Sequence, residues 1–337
     1  MLLLRVEEEH RRNGDWPMLR YLIPRLIQII PTFLGITLIA FFLINAVPGN
    51  PVADVALSDP NISPEDMARI RTSLGLDKSV PERYLDYLSR LVQGDLGTSL
   101  IQRGVKVSDL IVDRLPQTLL LTVTALLVAL ALAVPMGVIS AVKQYSVFDN
   151  ISTILSVAGA AIPGFWLALM MIVIFALELK WFPTGGMTDA RKNTVEIWDV
   201  VHHLILPAFV LASLQIAVWN RYIRASLLEA IRQDYIRTAR AKGLRERLII
   251  YKHALRNALI PFATLLGLSL PGLVGGALII ETIFSWPGMA RLAFTAATQR
   301  DYPVIMGVVV MASILTLLGN LLADMAYAFL DPRIQYG

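Results

Sequence analysis

Six apolar segments dominate this 337-residue sequence, and each is long enough to cross the hydrocarbon core of a bilayer, which takes about 20 residues. Such a segment must satisfy its backbone hydrogen bonds internally, so each is expected to be a helix. With 55% hydrophobic residues and a mean hydropathy of +0.60, the chain is predicted to be an all-α membrane protein with six transmembrane helices. The segments lie near residues 26–47, 117–142, 151–177, 201–219, 257–280 and 303–323.

The distribution of Lys and Arg predicts the orientation of these helices. If both termini are cytoplasmic, 17 basic residues lie in short inner segments and five lie in short outer loops. Basic residues in short loops are retained on the cytoplasmic side. Both termini are therefore expected on the cytoplasmic side of a membrane that the chain crosses several times. The pI of about 9.3 then reflects the inner face and does not indicate nucleic-acid binding.

This topology divides the chain into a tail, one helix, an outer region and a five-helix core. The parts are a cytoplasmic tail at 1–25, a first transmembrane helix at 26–47, an extracytoplasmic region at 48–114 and a core at 115–337 that includes an inner loop at 221–256. An alternative for residues 1–47 is a cleaved signal peptide, but the apolar run is too long and lacks a small-residue cleavage site.

The extracytoplasmic region is predicted to be mostly helical. Ser63 and the proline after it are typical of a helix start, which predicts a helix over 67–73 that stops at Gly75. A second helix is expected over 81–92, and a third amphipathic piece at 107–115 leads into the membrane. The chain has no cysteine, so this region must be held together by packing alone.

No catalytic or metal-binding pattern is present in the sequence. There is no phosphate-binding loop, no paired zinc-ligand helix and no nucleophile elbow. We interpret Glu178, Glu281 and Asp324 as interfacial carboxylates near helix ends, and His202 with His203 as solvated at a helix end. We therefore predict no catalytic residue and no metal ligand on this chain.

Pro/Gly breaks at 161–164 and 270–272 leave an ion-coupled secondary transporter open as a distant alternative. Carriers of that class use broken helices, or a carboxylate at the middle of the membrane, to hold the coupling ion. A transporter with neither an ion relay nor a nucleotide site must draw its energy from another subunit.

The inner loop at 221–256 is the most basic stretch of the chain, with ten Lys/Arg against three acids. It is predicted to form two short helices hinged at Gly243. Leu228, Ile231, Tyr235 and Ala239 are expected to share one face, and Leu248, Tyr251 and Leu255 another. Such a helix pair outside the bilayer favours docking of a soluble partner, whereas the alternative is that the charges only fix topology and bind anionic lipid.

The same loop resembles the cytoplasmic loop of permeases from binding-protein-dependent ABC importers. Residues 234–243 read DYIRTARAKG and residues 253–261 read HALRNALIP. In the family pattern, Arg237-Thr238-Ala239 stands in place of E-A-A, Gly243 matches, and His253-x-Leu255-Arg256 replaces I-x-L-P. These departures are similar to the peptide/nickel branch, and specifically to the first of its two permease subunits.

Further strings similar to that subunit cover most of the chain after its first twenty residues. They are GDLGTS at 94–99, RLPQTL at 114–119, WFPTGG at 181–186, GGA at 275–277, ETIFSWPG at 281–288 and RDYP at 300–303.

The resemblance implies a multi-pass location in a prokaryotic inner (cytoplasmic) membrane, an assembly and a role for the loop. The expected partners are a second related permease subunit, two ATPase subunits, an extracytoplasmic substrate-binding protein and the lipid bilayer. No cofactor is expected on this chain, because the ATPases would bind ATP and Mg. The residues expected to couple this chain to an ATPase are Tyr235, Arg237, Thr238, Ala239, Gly243, Leu248, His253 and Leu255.

The substrate implied by the resemblance is a di- or oligopeptide, with nickel or an oligosaccharide as the alternative for the same subunit type. Scarce charge in the spans predicts a neutral path, to which we assign Asn45, Gln215 and Asn320. The outer region, with Trp181, Trp198 and Trp286 near it, is expected to dock the binding protein, unless it only shields the helix tops.

Overall fold

The computed structural model describes residues 17–330, apart from 48–62, 74, 103, 190 and 192–195. Within these ranges the chain is helical, and its only strand-like feature is an isolated bridge between Thr98 and Lys106. The predicted tail at 1–25 lies largely outside the described residues, and the first helix begins within it. The helices are α1 Pro17–Ala46, α2 Pro64–Ser73, α3 Val80–Val92, α4 Val107–Val142, α5 Val147–Ala161, α6 Gly164–Met171, α7 Ile197–Ile231, α8 Asp234–Ala241, α9 Leu255–Ile283, α10 Met289–Thr298 and α11 Tyr302–Leu330.

Four helices of the described residues are long and apolar enough to cross a membrane. The wide helical stretch Ile172–Glu178 continues α6. A fifth span is added if α5 and the combined helix Gly164–Glu178, which are bent by 108° relative to each other, count as one. The four are Ile23–Ala46 of α1, Val107–Val142, Ile197–Ile231 and Tyr302–Leu322 of α11. The predicted segment at 257–280 falls within the 29-residue α9, and six spans stay a prediction.

The break between α5 and α6 has a local cause. Ile162 precedes Pro163, and a residue before proline is disfavoured in the helical region. Ile162 accordingly adopts an extended conformation, with φ −79° and ψ 124°. The other predicted break, at 270–272, is absent because α9 continues through it.

Helices α4 and α7 form the centre of the fold through a seam of small residues. Ala125, Ala129 and Ala133 are completely buried on α4 and recur every four residues, so they share one face. Gly137 continues this row, and a Cβ built there would lie 2.8 Å from the Cβ of Ile223 on α7. The two backbones therefore approach more closely than a larger residue would allow, as is common between membrane helices.

The outer region packs on the end of α1, and both helices predicted there are observed. Before α3, the Glu82 carboxylate accepts hydrogen bonds from the Ser79 amide (2.9 Å) and hydroxyl (2.8 Å), which fixes the helix start. The rings of Tyr84 and Tyr87 pack against Phe41 of α1, with centroid distances of 5.4 and 5.8 Å. The predicted separate piece at 107–115 is instead the beginning of α4.

Glu281 lies two residues from the end of α9, as expected, but it is not in contact with solvent as an interfacial carboxylate would be. Its side chain is completely buried and accepts a hydrogen bond from the Thr118 hydroxyl at 2.7 Å. It also accepts hydrogen bonds from the backbone amides of Ala290 (2.8 Å) and Arg291 (3.1 Å). A carboxylate is favourable at a helix N-terminus, so Glu281 caps α10 and joins it to α4 and α9.

The three tryptophans expected on the outer docking surface differ in exposure. Trp181 and Trp198 are 59% and 81% exposed, whereas Trp286 is completely buried. The indole nitrogen of Trp286 donates to the backbone carbonyl of Gln117 at 2.9 Å. Trp286 is therefore part of the core and not of a docking surface.

Candidate functional site

Helix α8 belongs to the inner loop and is buried on one side only. Ile236 is completely buried and Ala239 nearly so, and their spacing of three residues places them on one face. Tyr235, Arg237 and Thr238 lie on the exposed part of the helix. The buried face anchors α8 to its own chain and leaves the other face available to a partner.

Gly243 makes the turn after α8 possible. Its φ is +73°, in the left-handed region that glycine adopts without the steric penalty that a Cβ brings. A Cβ built on Gly243 meets no atom within 4 Å, so the restriction comes from the backbone alone. The hinge glycine predicted from the sequence therefore has the conformation that such a turn requires.

An exposed ion pair connects the residues on either side of this turn. Arg240 at the end of α8 donates to both carboxylate oxygens of Glu246, at 3.2 and 2.6 Å. These hydrogen bonds lower the pKa of Glu246 and raise the pKa of Arg240. Both side chains are exposed, so the pair contributes only about 0–1 kcal/mol to stability. The conformation of the turn is therefore not fixed by this pair.

After the turn, Glu246–Leu248 continues through the wide helical turn Ile249–Ala254 into α9. Leu248 and Tyr251 are 42% and 58% exposed, whereas Ile249, Ile250 and Ala254 are buried. His253 and Leu255 are half-buried, and Leu255 packs against the main core.

Between the end of α7, α8 and the start of α9 lies an open groove of about 270 Å³, which we call the coupling groove. Tyr235 lines it from α8, together with residues of both neighbouring helices. The full lining is Ser226, Glu229, Ala230, Gln233, Tyr235, Asn257, Ala258 and Pro261.

The structure thus divides the predicted coupling residues into two groups. Exposed on the loop are Tyr235, Arg237, Thr238, Gly243 and Leu248, whereas Ala239, His253 and Leu255 are partly or fully covered by their own chain. A partner can contact the first group directly, and the second group supports it. The coupling role itself stays a prediction.

A largely buried ion pair that the sequence did not reveal connects α5 to α7 at the start of the inner loop. The Nε and Nη2 atoms of Arg224 donate to the two carboxylate oxygens of Asp149, at 2.6 and 2.8 Å. The carboxylate also accepts from the backbone amide of Tyr145 at 2.9 Å. The Asp149 side chain is 2% exposed and that of Arg224 is 25% exposed. We call this pair the inner staple.

A second link lies on the same two helices, one turn deeper in the fold. The side-chain amide of Asn220 donates to the hydroxyls of Ser152 at 2.8 Å and Ser156 at 2.6 Å. The four-residue spacing of the serines, and a polar residue in an apolar span, were the signals that sequence reasoning overlooked. Together with the inner staple, this link joins α5 to the part of α7 that leads into the inner loop.

The three residues predicted to line a substrate path are not brought together. The Asn45 side chain donates to the Phe41 carbonyl at 2.8 Å and lines a cavity beside the outer region. Asn320 lines another cavity, between α1 and α11, where Arg25 pairs with Asp324 at 3.4 Å. Gln215 is half-buried on α7. Their role in a path stays a prediction.

Among the described residues, no group of three or more His, Cys, Asp or Glu side chains could hold a metal ion. The two adjacent histidines have separate structural contacts. A ring nitrogen of His202 lies 2.7 Å from the Trp181 carbonyl, and one of the buried His203 lies 2.8 Å from the Asp199 carbonyl. His202 is exposed, as expected, whereas the prediction of solvation is wrong for His203, which is 8% exposed.

Family models match most of the chain. Residues 133–336 match the binding-protein-dependent transport system inner membrane component, and residues 18–122 match the N-terminal part of such membrane components.

Several curated proteins are similar to this chain over nearly their whole length. The oligopeptide transport system permease protein AppB of Bacillus subtilis is 46% identical over 95% of this chain and 100% of its own. The dipeptide transport system permease protein DppB of Escherichia coli K12 is 40% identical over 95% and 99%. The di/tripeptide permease DppB of Pseudomonas aeruginosa is also 40% identical, over 95% and 99%.

A solved structure with a similar fold is an inward-facing MetNI methionine ABC transporter. Its matching chain has a TM-score of 0.54 at 20% identity and covers 66% of this chain and 96% of its own. At that identity the likeness shows the fold alone.

Proposed function

We propose that this chain, which belongs to the family of binding-protein-dependent transport system inner membrane components, forms half of the translocation path of an ATP-driven importer of di- or oligopeptides. The observation that carries the proposal is α8, anchored by its buried face and open on the other beside the coupling groove. The peptide substrate is supported by the oligopeptide and dipeptide permeases to which the chain is similar.

In this proposal the exposed face of α8 docks on one of two ATPase subunits, which bind ATP and Mg and supply the energy. A second related permease completes the path, and an extracytoplasmic binding protein delivers the substrate. The chain crosses the membrane six times with both termini in the cytoplasm. Movement of α8 then reaches the membrane through α7 and, by the inner staple, through α5.

The alternative substrates, nickel and oligosaccharides, are not favoured by any particular side chain of the described residues. The ion-coupled carrier loses support because Glu281 is enclosed by Thr118 and the amides of α10 and caps a helix. Such a carrier needs a carboxylate that an ion can reach.

The test replaces Tyr235 by alanine in the full complex, reconstituted in liposomes with both permeases, the ATPases and the binding protein. Truncating an aromatic hot-spot residue at an interface costs about 2 kcal/mol or more, which weakens ATPase binding at least roughly thirtyfold. The control is Lys143→Gln, an exposed basic residue of another predicted inner segment. The chain purified alone should hydrolyse no ATP.

Tyr235→Ala should release the ATPase and lower peptide uptake, while Lys143→Gln leaves both unchanged. Unchanged ATPase content and uptake in Tyr235→Ala would refute docking on this face of α8, and an equal loss in Lys143→Gln would mean that the effect is not specific to the inner loop. ATP hydrolysis by the isolated chain would refute the division of labour between subunits.

A further inference from the structure

An open pocket of about 250 Å³ lies between α4 and the start of α10. Two strings noted in the sequence meet in it, since RLPQTL supplies Arg114 and ETIFSWPG supplies Pro287 and Gly288. Arg291 lies in the first turn of α10. The lining therefore contains two positive charges and no acidic side chain. Its residues are Gln102, Arg114, Pro287, Gly288, Arg291, Leu292 and Thr295.

Neither arginine of this pocket forms an ion pair with a carboxylate of the described residues. The Nη1 atom of Arg291 donates to the Ser285 carbonyl at 2.7 Å. The Nη1 atom of Arg114 donates to the Pro287 carbonyl at 3.4 Å. A carbonyl has no net charge, so these contacts orient the guanidinium groups without neutralising them. Because a guanidinium has five N–H donors, most donors of both side chains remain available to a ligand.

The floor of the pocket is closed by a carboxylate that is already hydrogen-bonded. A Cβ built on Gly288 would overlap the carboxylate of Glu281, so Glu281 lies directly behind this glycine. It accepts hydrogen bonds from the Thr118 hydroxyl and from the backbone amides of Ala290 and Arg291. Glu281 is therefore bonded to the amide of Arg291 and not to its guanidinium. Since Glu281 is completely buried, a group bound in the pocket does not pass further inward at this point.

The rim of the pocket is held in place by a second buried carboxylate. Asp301 is 3% exposed and accepts hydrogen bonds from the Ser99 hydroxyl and from the Leu100 amide, the latter at 3.1 Å. The Ser99 hydroxyl oxygen in turn accepts from the amide of Gln102 at 2.8 Å. The turn that carries Gln102 is thus fixed before a ligand binds. Such pre-organisation lowers the entropic cost of binding.

We infer that this pocket receives an acidic side chain of the extracytoplasmic substrate-binding protein, with its carboxylate held between Arg114 and Arg291. Guanidinium groups suit a carboxylate because they donate two parallel, charge-assisted hydrogen bonds. A partner that stays outside is favoured over the carboxylate of a transported peptide, because the floor of the pocket is closed. The inference rests on the proposed function, which supplies the binding protein and places the pocket on the outer side.

The experiment measures the affinity of the fluorescently labelled binding protein for the full importer in nanodiscs, without ATP. Arg291→Gln removes an exposed charge and should weaken binding roughly tenfold without lowering the melting temperature of the complex. Arg114→Gln should weaken binding to a similar extent. Arg291→Lys should give an intermediate affinity, because lysine keeps the charge but lacks the planar fork. The affinity of the wild type should also fall more steeply with added salt than that of Arg291→Gln.

The matched control is Lys106→Gln, which removes an exposed charge at the start of α4 but outside the pocket. It should bind like the wild type. Wild-type affinity in both Arg291→Gln and Arg114→Gln, or an equal loss in Lys106→Gln, would overturn the inference. Saturable binding of a labelled dipeptide to the importer alone, lost in Arg291→Gln, would assign the pocket to the substrate and would also overturn it.

Failure of this inference is distinguishable from failure of the proposed function. If the wild-type importer does not bind the binding protein at all, the delivery step of the proposed function is refuted. If the wild type binds it and the arginine variants bind it equally well, only the role of this pocket is refuted.

Discussion

Replacement of Gly243 tests whether the turn after α8 couples ATP hydrolysis to transport. In this left-handed conformation an L-residue costs roughly 1–2 kcal/mol, and β-branching adds further restriction. Because a Cβ at Gly243 meets no atom within 4 Å, the cost is not increased by a clash. We therefore expect Gly243→Ala to reduce the population of the native turn about 5–30-fold and Gly243→Val to reduce it further.

The assay is peptide uptake and ATP hydrolysis by the reconstituted complex, both measured for each variant. Gly243→Asn is the informative intermediate, because asparagine tolerates the left-handed region better than other residues that carry a Cβ. Uptake per ATP should fall in the order Gly, Asn, Ala, Val. Gly94→Val provides the control, since Gly94 has φ +79° and equally open space but lies in the outer region.

The hinge reasoning fails if Gly243→Val transports at the wild-type rate with the normal ATPase content. It fails equally if asparagine is no better than valine, because the backbone conformation would then not be the cause. A loss of coupling in Gly94→Val as large as in Gly243→Val would mean that the effect is general destabilisation.

The inner staple and the outer surface give two further predictions. Arg224→Met leaves the Asp149 carboxylate buried without its partner and should destabilise the subunit by about 3 kcal/mol; because Arg224 is a quarter exposed, we take the lower end of the usual range. The free energy of unfolding is measured by denaturation followed by tryptophan fluorescence. The double variant Arg224→Met with Asp149→Leu should lose less free energy of unfolding than the two single variants lose together. Strictly additive losses would contradict the pairing. A binding protein charged with substrate should crosslink to cysteines placed at the exposed Val92 or Trp198 but not at the buried Trp286, and the native chain adds no background because it has no cysteine. Crosslinking at none of the exposed positions would contradict docking on this surface.

Local signals predicted helices well. Tyr84, Leu88 and Leu91 have the spacing of one helix face, and α3 is observed around them. Gly75 was predicted to stop the preceding helix and has φ +63°. These features depend on neighbouring residues alone, so the sequence contains the information that determines them.

The faces of the inner loop were predicted less well. The spacing from Leu228 to Ala239 predicts one continuous helix, but the helix breaks between α7 and α8. Restarting the helix at Asp234 shifts the buried face to Ile236 and Ala239 and leaves Tyr235 outside. A single irregular turn is enough to rotate every later residue, and the hydrophobic pattern alone does not locate it.

Long-range contacts were beyond sequence reasoning. Asp149 and Arg224 are 75 residues apart in the chain, and each alone is an ordinary charged residue near a span end. Glu281 was predicted at an interface for the same reason. Only the packing of α9 against α4 and α10 makes it a buried cap.

The sparse packing of α1 has a consequence for biosynthesis. Within the described residues, α1 packs mainly against α11 and, at its outer end, α3, and only 11% of its most apolar window is buried. Its main partner is made about 250 residues later, so at 5–20 residues per second α1 waits on the order of 10–50 s in the bilayer. For that period its stability must come from contact with acyl chains. A strongly apolar helix that buries little in its own subunit meets this demand, because only a small part of its surface depends on α11 to be covered.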